Sequence, residues 1–182
     1  MSVYQKCIPH EYHASIFEIP YQKLKETGIK SLFFDLDNTI IAYDETRLNE
    51  AHLDFFKKLG TDFKIVVISN SNYKRVSTAV KDANVPFVWH ALKPFKFGLK
   101  KALKLVNTIV EETIVIGDQL MTDIYGASRM GIKSILVASV KRKSDRKITQ
   151  FNRKLEKIVL RKIEQKLPDL YEDRLKAYVN EQ

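Results

Sequence analysis

An α/β domain, with a parallel sheet between two layers of helices, follows from two features of the 182-residue sequence: short apolar runs alternate with stretches of helical period from residue 31 onward, and polar residues gather where the runs end. The first run, Leu32–Phe33–Phe34, leads into Asp35 with Leu36 following, and a helical pattern covers 48–59. Lys64–Ile68 reads as a second buried strand closed by Ser69-Asn70, followed by a helix over 73–83. Pro86–His90 is a shorter strand, with Lys93 just past it ahead of Pro94 and a helix over 97–109. Thr113–Ile116, a helix over 122–130 closed by Gly131, and Lys133–Val137 complete the series. Strands separated by helices need crossover connections, which make the sheet parallel and cover both its faces. In such sheets the chemistry collects at the carboxyl ends of the strands.

Composition limits what else the chain can be. With 45% hydrophobic residues it can bury a core, which excludes a disordered tail protein. One cysteine, Cys7, excludes an intramolecular disulfide framework and a multi-cysteine zinc site, and points to a reducing, cytoplasmic compartment. No apolar run is long enough to span a membrane, so the expectation is a soluble or peripheral protein. The formal charge is +9, unevenly placed. Residues 1–140 hold 18 basic and 15 acidic side chains, whereas 141–166 alone hold 11 basic and three acidic ones. Three segments are therefore expected: an N-terminal arm over 1–30 packed on the domain, an α/β core over 31–140, and a basic helical segment over 141–182.

Three strand ends and one loop deliver the polar residues: Asp35-Leu36-Asp37-Asn38-Thr39, Ser69-Asn70, Lys93, and Gly117-Asp118 running on to Asp123. Carboxylates brought together on one sheet edge repel one another unless a cation sits among them, and an open site of hard oxygen ligands suits Mg²⁺. Asp35, Asp37 and Asp118 form the candidate metal set. Asp123 or Asp44 taken alone is accounted for by a helix cap or a turn. Asp35 and Asp37 are harder to explain that way, since strand alternation puts both on one face of the chain. A carboxylate beside Mg²⁺ can attack phosphorus, and a second carboxyl two residues on can protonate the leaving oxygen and later activate water. Ser69 and Lys93 can donate to the phosphoryl oxygens.

These residues resemble the four motifs of the haloacid dehalogenase superfamily. Asp35-Leu36-Asp37-Asn38-Thr39 is similar to its Asp-x-Asp-x-Thr motif, Ser69 to its second, Lys93 to its third, and Gly117-Asp118 with Asp123 to its fourth. The resemblance implies a three-layer Rossmann-like fold, with Asp35 as nucleophile and Asp37 as general acid/base. It also implies Thr39, Ser69, Asn70 and Lys93 around the phosphate, Thr39 supporting the loop as well. Mg²⁺ would be held by Asp35, Asp118 and the backbone carbonyl of Asp37, with Asp123 behind it as a water-mediated ligand or a partner of Lys93. Intervals of 32, 24 and 25 residues from Asp37 through Ser69 and Lys93 to Asp118 leave no room for a large cap domain, only a small flap at Ile40–Leu48. A capless member suits a bulky substrate whose phosphate alone enters the site. Pro9–Lys30, with Ser15–Ile19 and Gly28-Ile29-Lys30, is similar to the YqeG-type subfamily of the subfamily IIIA phosphatases, a group that resembles mitochondrial phosphatidylglycerophosphate phosphatases.

Residues 148–167 carry an apolar stripe at helical spacing (Ile148, Phe151, Leu155, Ile158, Val159, Ile163, Leu167), with Arg153, Lys154, Lys157, Arg161 and Lys162 mostly off it. Such a helix can pack its stripe on the domain, lie on anionic lipid at the inner face of a membrane, or contact nucleic acid; without an aromatic stacking series the last ranks lowest. Lys96, Lys100, Lys101 and Lys104 form a second basic group after Lys93, either an ordinary solvated face or a positive rim that attracts an anionic substrate. The histidines form no metal-ligand pattern, and Trp89 reads as a core residue. The expected function is a Mg²⁺-dependent phosphomonoester hydrolase with an anionic membrane-lipid substrate, phosphatidylglycerophosphate. Alternatives are a phosphatase for a phosphoprotein, a polynucleotide end or another bulky substrate, and a non-enzymatic module binding nucleic acid or the ribosome.

Overall fold

The computed structural model describes residues 1–140 and 147–181, and the backbone alone over 147–151. Six parallel strands form one sheet in the order β1-β6-β5-β2-β3-β4: β1 (Glu11–His13), β2 (Ser31–Phe34), β3 (Lys64–Ile68), β4 (Phe87–Val88), β5 (Thr113–Gly117) and β6 (Lys133–Val137). The chain leaves β2 toward β3 and β4, then returns to place β5 on the other side of β2. This reversal opens a crevice beyond the carboxyl end of β2. Phe34 lies in register with Val67 of β3 and Ile116 of β5, so Asp35, Ser69 and Asp118 emerge at one edge.

Alternation along β2 builds both faces of the sheet. Leu32 and Phe34 join a core with Phe56 and Leu59 of α3 (Glu50–Leu59) and Val76 and Ala79 of α4 (Tyr73–Ala79). Phe33 points the other way, onto Leu99 and Ala102 of α5 (Lys96–Leu105) and Ala127 of α6 (Tyr125–Met130). Side chains start two of these helices: Asn49 accepts from the His52 amide at 3.1 Å and Asn72 from the Arg75 amide at 2.9 Å. Gly131, at φ +77°, ends α6 in the left-handed conformation that glycine adopts without a Cβ clash.

Several boundaries differ from expectation. β4 is only two residues, because Pro86 has no amide to donate and the chain turns at His90 (φ +44°). Leu120–Ile124 forms a wide π-type turn before α6 instead of its first ordinary turn. Residues 1–30 supply short helices at Val3–Lys6 (α1) and Tyr21–Glu26 (α2) and the edge strand β1, which pairs with β6.

The tail helix α7 (Lys147–Lys166) and the short helices α8 (Pro168–Arg174) and α9 (Lys176–Asn180) pack on the domain. Leu160, Ile163, Tyr171, Leu175 and Tyr178 close a core with Cys7, Leu120, Ile124 and Leu136. Burial, with Glu156 adding to it, pushes the Cys7 thiol up to about 12, so it is an inert packing residue. Ile158 breaks the expected stripe, being 64% exposed. Arg153 breaks it in the opposite sense, since it turns inward. Residues 141–146 of the basic segment, and the side chains of Ile148 and Phe151, lie outside the described residues. No helix among the described residues is long and apolar enough to cross a membrane.

Candidate active site

Asp35 stands at the end of β2, its amide bonded to the Ile116 carbonyl of β5 at 2.9 Å and its side chain buried. Lys93 reaches it from the loop after β4: Nζ donates to Asp35 Oδ1 at 2.5 Å and to Asp123 Oδ1 at 2.6 Å. Asp123 comes from the π-type turn and fits because residue 117 is glycine; a Cβ there would fall 2.4 Å from the Asp123 Cγ. One oxygen each from Asp35, Asp118 and Asp123 lie within 4.8 Å of one another, all three residues buried. Thr39 donates to Asp35 Oδ2 at 3.1 Å and lies 3.4 Å from Asp118 Oδ1.

Burial pushes the Asp35 carboxyl well above its usual range; Lys93 opposes that rise, and Asp123, Asp118 and Asp37 add to it. For Lys93 burial works downward, but the paired carboxylates Asp123 and Asp35 outweigh it and hold the ammonium above its usual value. Among the described residues one lysine and one arginine face these three buried carboxylates, and such an all-oxygen cluster suits a hard cation.

Asp37 lines the same pocket. Strand alternation is not the cause, since β2 ends at Phe34 and Asp37 belongs to a turn whose next residue, Asn38, sits at φ +66°. Its Oδ1 accepts from Arg75 of α4, Nε at 3.0 Å and Nη2 at 2.9 Å, and its Oδ2 from Ser71 at 2.7 Å and Ser69 at 3.2 Å. Arg75 also donates to the carbonyls of Ala42 and Glu45, which ties Asp37 to the flap. Asn70 clamps the Lys93 loop, accepting from the Lys93 amide at 2.7 Å and donating to its carbonyl at 3.0 Å. Thr39 and Asn70, grouped by sequence with the phosphate-binding residues, thus direct their side chains to Asp35 and to the Lys93 main chain.

Composition offered no reason to separate Arg75, Ser71, Arg153 and Glu156 from other surface-type residues. Arg153 of α7 donates to the Asp118 carboxylate, to the Asp118 carbonyl at 2.8 Å and to Tyr178 Oη at 3.0 Å. Glu156, buried one turn on, accepts from the Leu120 amide at 3.2 Å and from Tyr178. The only available signal was a Glu placed among the stripe positions. Asn152 and Leu155 of the same helix line a cavity of about 370 Å³ with Asp35, Asp37, Lys93 and Met121. A larger hollow of about 550 Å³ lies at the amino edge of the sheet, lined by Phe63 and Pro86, and has none of this convergence.

Residues 1–141 match the family described as mitochondrial PGP phosphatase. The chain is 34% identical over 160 residues to the probable phosphatase YqeG of Bacillus subtilis, covering 87% of this chain and 92% of that one. A 43-residue stretch, 24% of this chain and 18% of the relative, is 49% identical to a glyceraldehyde 3-phosphate phosphatase of Pyrococcus furiosus. The fold is similar to that of a HAD family enzyme from Bacteroides thetaiotaomicron solved as a magnesium complex, at a TM-score of 0.51 and 15% identity, covering 64% of this chain and 97% of that one. These likenesses set aside the non-enzymatic alternative. The chain belongs to the mitochondrial PGP phosphatase family, as a YqeG-type phosphatase of the haloacid dehalogenase superfamily.

Proposed function

We propose that this phosphatase is magnesium-dependent, works through an aspartyl-phosphate on Asp35, and takes phosphatidylglycerophosphate as its substrate. The observation that carries the chemistry is the buried Asp35 carboxylate, 2.5 Å from the Lys93 ammonium and grouped with Asp118 and Asp123 at one end of an open cavity. In this reading an Asp35 oxygen forms a bond to phosphorus as the ester P–O bond breaks. Asp37 gives a proton to the departing alcohol oxygen, then takes one from the water that cleaves the acyl phosphate. Ser69 Oγ and Lys93 Nζ donate to the phosphoryl oxygens, and Arg75 and Ser71 orient Asp37.

Asp35, Asp118 and the Asp37 carbonyl are the proposed magnesium ligands, with Asp123 bracing Lys93. The bound cation would supply charge neutralisation between the phosphate and the carboxylates. The all-oxygen character of the set and the buried cluster of Asp35, Asp118 and Asp123 support this, as does the magnesium complex of the Bacteroides protein of similar fold. The family description and the absence of an inserted cap among the described residues support a lipid whose headgroup phosphate alone enters.

Phosphate release from phosphatidylglycerophosphate in anionic vesicles, with and without Mg²⁺, tests this for the wild type and for Asp35→Asn. Release should require the metal and fall by about 10⁴-fold or more in the variant. Metal-independent release, or an undiminished variant, overturns the mechanism; turnover confined to soluble phosphomonoesters overturns the lipid assignment.

A further inference from the structure

The loop that carries Lys93 inward carries apolar side chains outward. Leu92 is 57% exposed, Phe95 55% and Phe97 71%. Trp89, expected in the core, is 38% exposed, and Tyr73 (56%) meets it edge to face, with ring centroids 5.9 Å apart. Single exposed apolar residues are ordinary, but a cluster of five on one rim marks an interaction surface. The backbone is built to present it. Phe95 closes a tight turn onto the Leu92 carbonyl at 2.8 Å, and Leu92 is held at φ +56°, a region that bulky residues avoid. Gly98 lets α5 press against Ala91, where a Cβ would come within 2.5 Å of the alanine methyl. Pro94, in the same turn, lines the catalytic cavity, so the patch borders the entrance.

Charge selects the occupant. Between Asp82 and Glu111 the sequence has five lysines and no acidic residue. Lys96, Lys100, Lys101 and Lys104 are exposed, and among the described residues none forms an ion pair. The Lys101 ammonium lies 5.8 Å over the Trp89 ring, and Trp89, Phe97 and Lys101 share a shallow hollow of about 240 Å³. A second copy meeting this face about a two-fold axis would bring like charges together. Aromatic rings interleaved with lysines fit an anionic bilayer, rings at the acyl boundary and ammonium groups at the headgroup phosphates.

We infer that Trp89, Leu92, Phe95 and Phe97, with the α5 lysines, form a docking surface for an anionic membrane that seats the catalytic entrance against the bilayer. The purpose of such docking rests on the lipid-phosphatase reading. Binding is therefore measured without substrate, so that the two can fail separately.

Full-length protein is co-sedimented with phosphatidylcholine vesicles with and without phosphatidylglycerol, alongside turnover of p-nitrophenyl phosphate. The wild type should bind only the anionic vesicles. Phe95→Ser/Phe97→Ser should weaken binding by about tenfold or more, and Lys100→Glu/Lys101→Glu should remove the preference for anionic lipid, both with soluble turnover unchanged. No binding by the wild type, or full binding by both variants, overturns the surface, as does a dimer or an oligonucleotide complex that the same substitutions dissolve. Vesicle binding lost as expected, in an enzyme that leaves phosphatidylglycerophosphate intact, upholds the docking and overturns the substrate.

Discussion

Two arginines flank the pocket, each on one aspartate, and their surroundings differ. Arg153 and Asp118 have side chains 10% and 0% exposed and are braced by Tyr178 and Glu156. Arg75 and Asp37 are 16% and 18% exposed, and Arg75 also donates to carbonyls of the flap and lies over the Tyr43 ring. As a proposed metal ligand Asp118 has to keep one position, and a buried ion pair braced by two further side chains does that. A group that exchanges protons with substrate and water has to reach solvent, and a pair at the mouth of the pocket allows it. The difference teaches that the same ion pair serves as a lock on one side and as a latch on the other.

Removing the lock should have the largest effect. Arg153→Ala leaves Asp118 without its buried guanidinium, and a loss of about 3 kcal/mol in denaturant unfolding is expected. The magnesium concentration needed for half-maximal stabilisation of the resting protein should rise about 10–100-fold. An unchanged metal titration would show that Arg153 only holds the tail in place. Arg75→Ala comes next: stability should fall by about 1 kcal/mol or less, as expected for a partly solvated pair, while kcat drops about tenfold with metal affinity unchanged. If this variant unfolds as readily as Arg153→Ala, the distinction between the two sides is wrong.

The smallest effect concerns pH on the flap side. Burial holds the His52 imidazole below its usual range, with the Ile40 carbonyl and Glu45 partly offsetting it. The unfolded chain therefore takes up this proton near pH ~6.5 while the native state does not, so the stability is present above that pH and declines as pH falls toward the native value. The melting temperature should drop on acidification through this window, and His52→Gln should flatten the slope. Identical slopes would remove His52 from the account.

Most of the sheet was legible because burial on two faces leaves continuous apolar runs: Lys64–Ile68 and Lys133–Val137 have the boundaries expected of them. β1 was not, since Glu11–His13 is a half-buried edge strand without such a run. Asp35, Ser69, Lys93 and Asp118 could be singled out because each follows an apolar run. Arg153 could not, because a basic residue in a helix with ten other basic residues nearby has no local mark of burial.

The sequence by itself determined the α/β alternation, the order of the polar strand ends and the concentration of positive charge after residue 140, since each depends on residues close together in the chain. Only the tertiary structure decided where the charges act. Arg153 reaches a carboxylate 35 residues away, Arg75 binds Asp37 across 38, and Trp89 is left at the surface beside Tyr73. Those choices depend on how helices pack over the sheet edge, and no local period encodes the distance between two elements that meet only after folding.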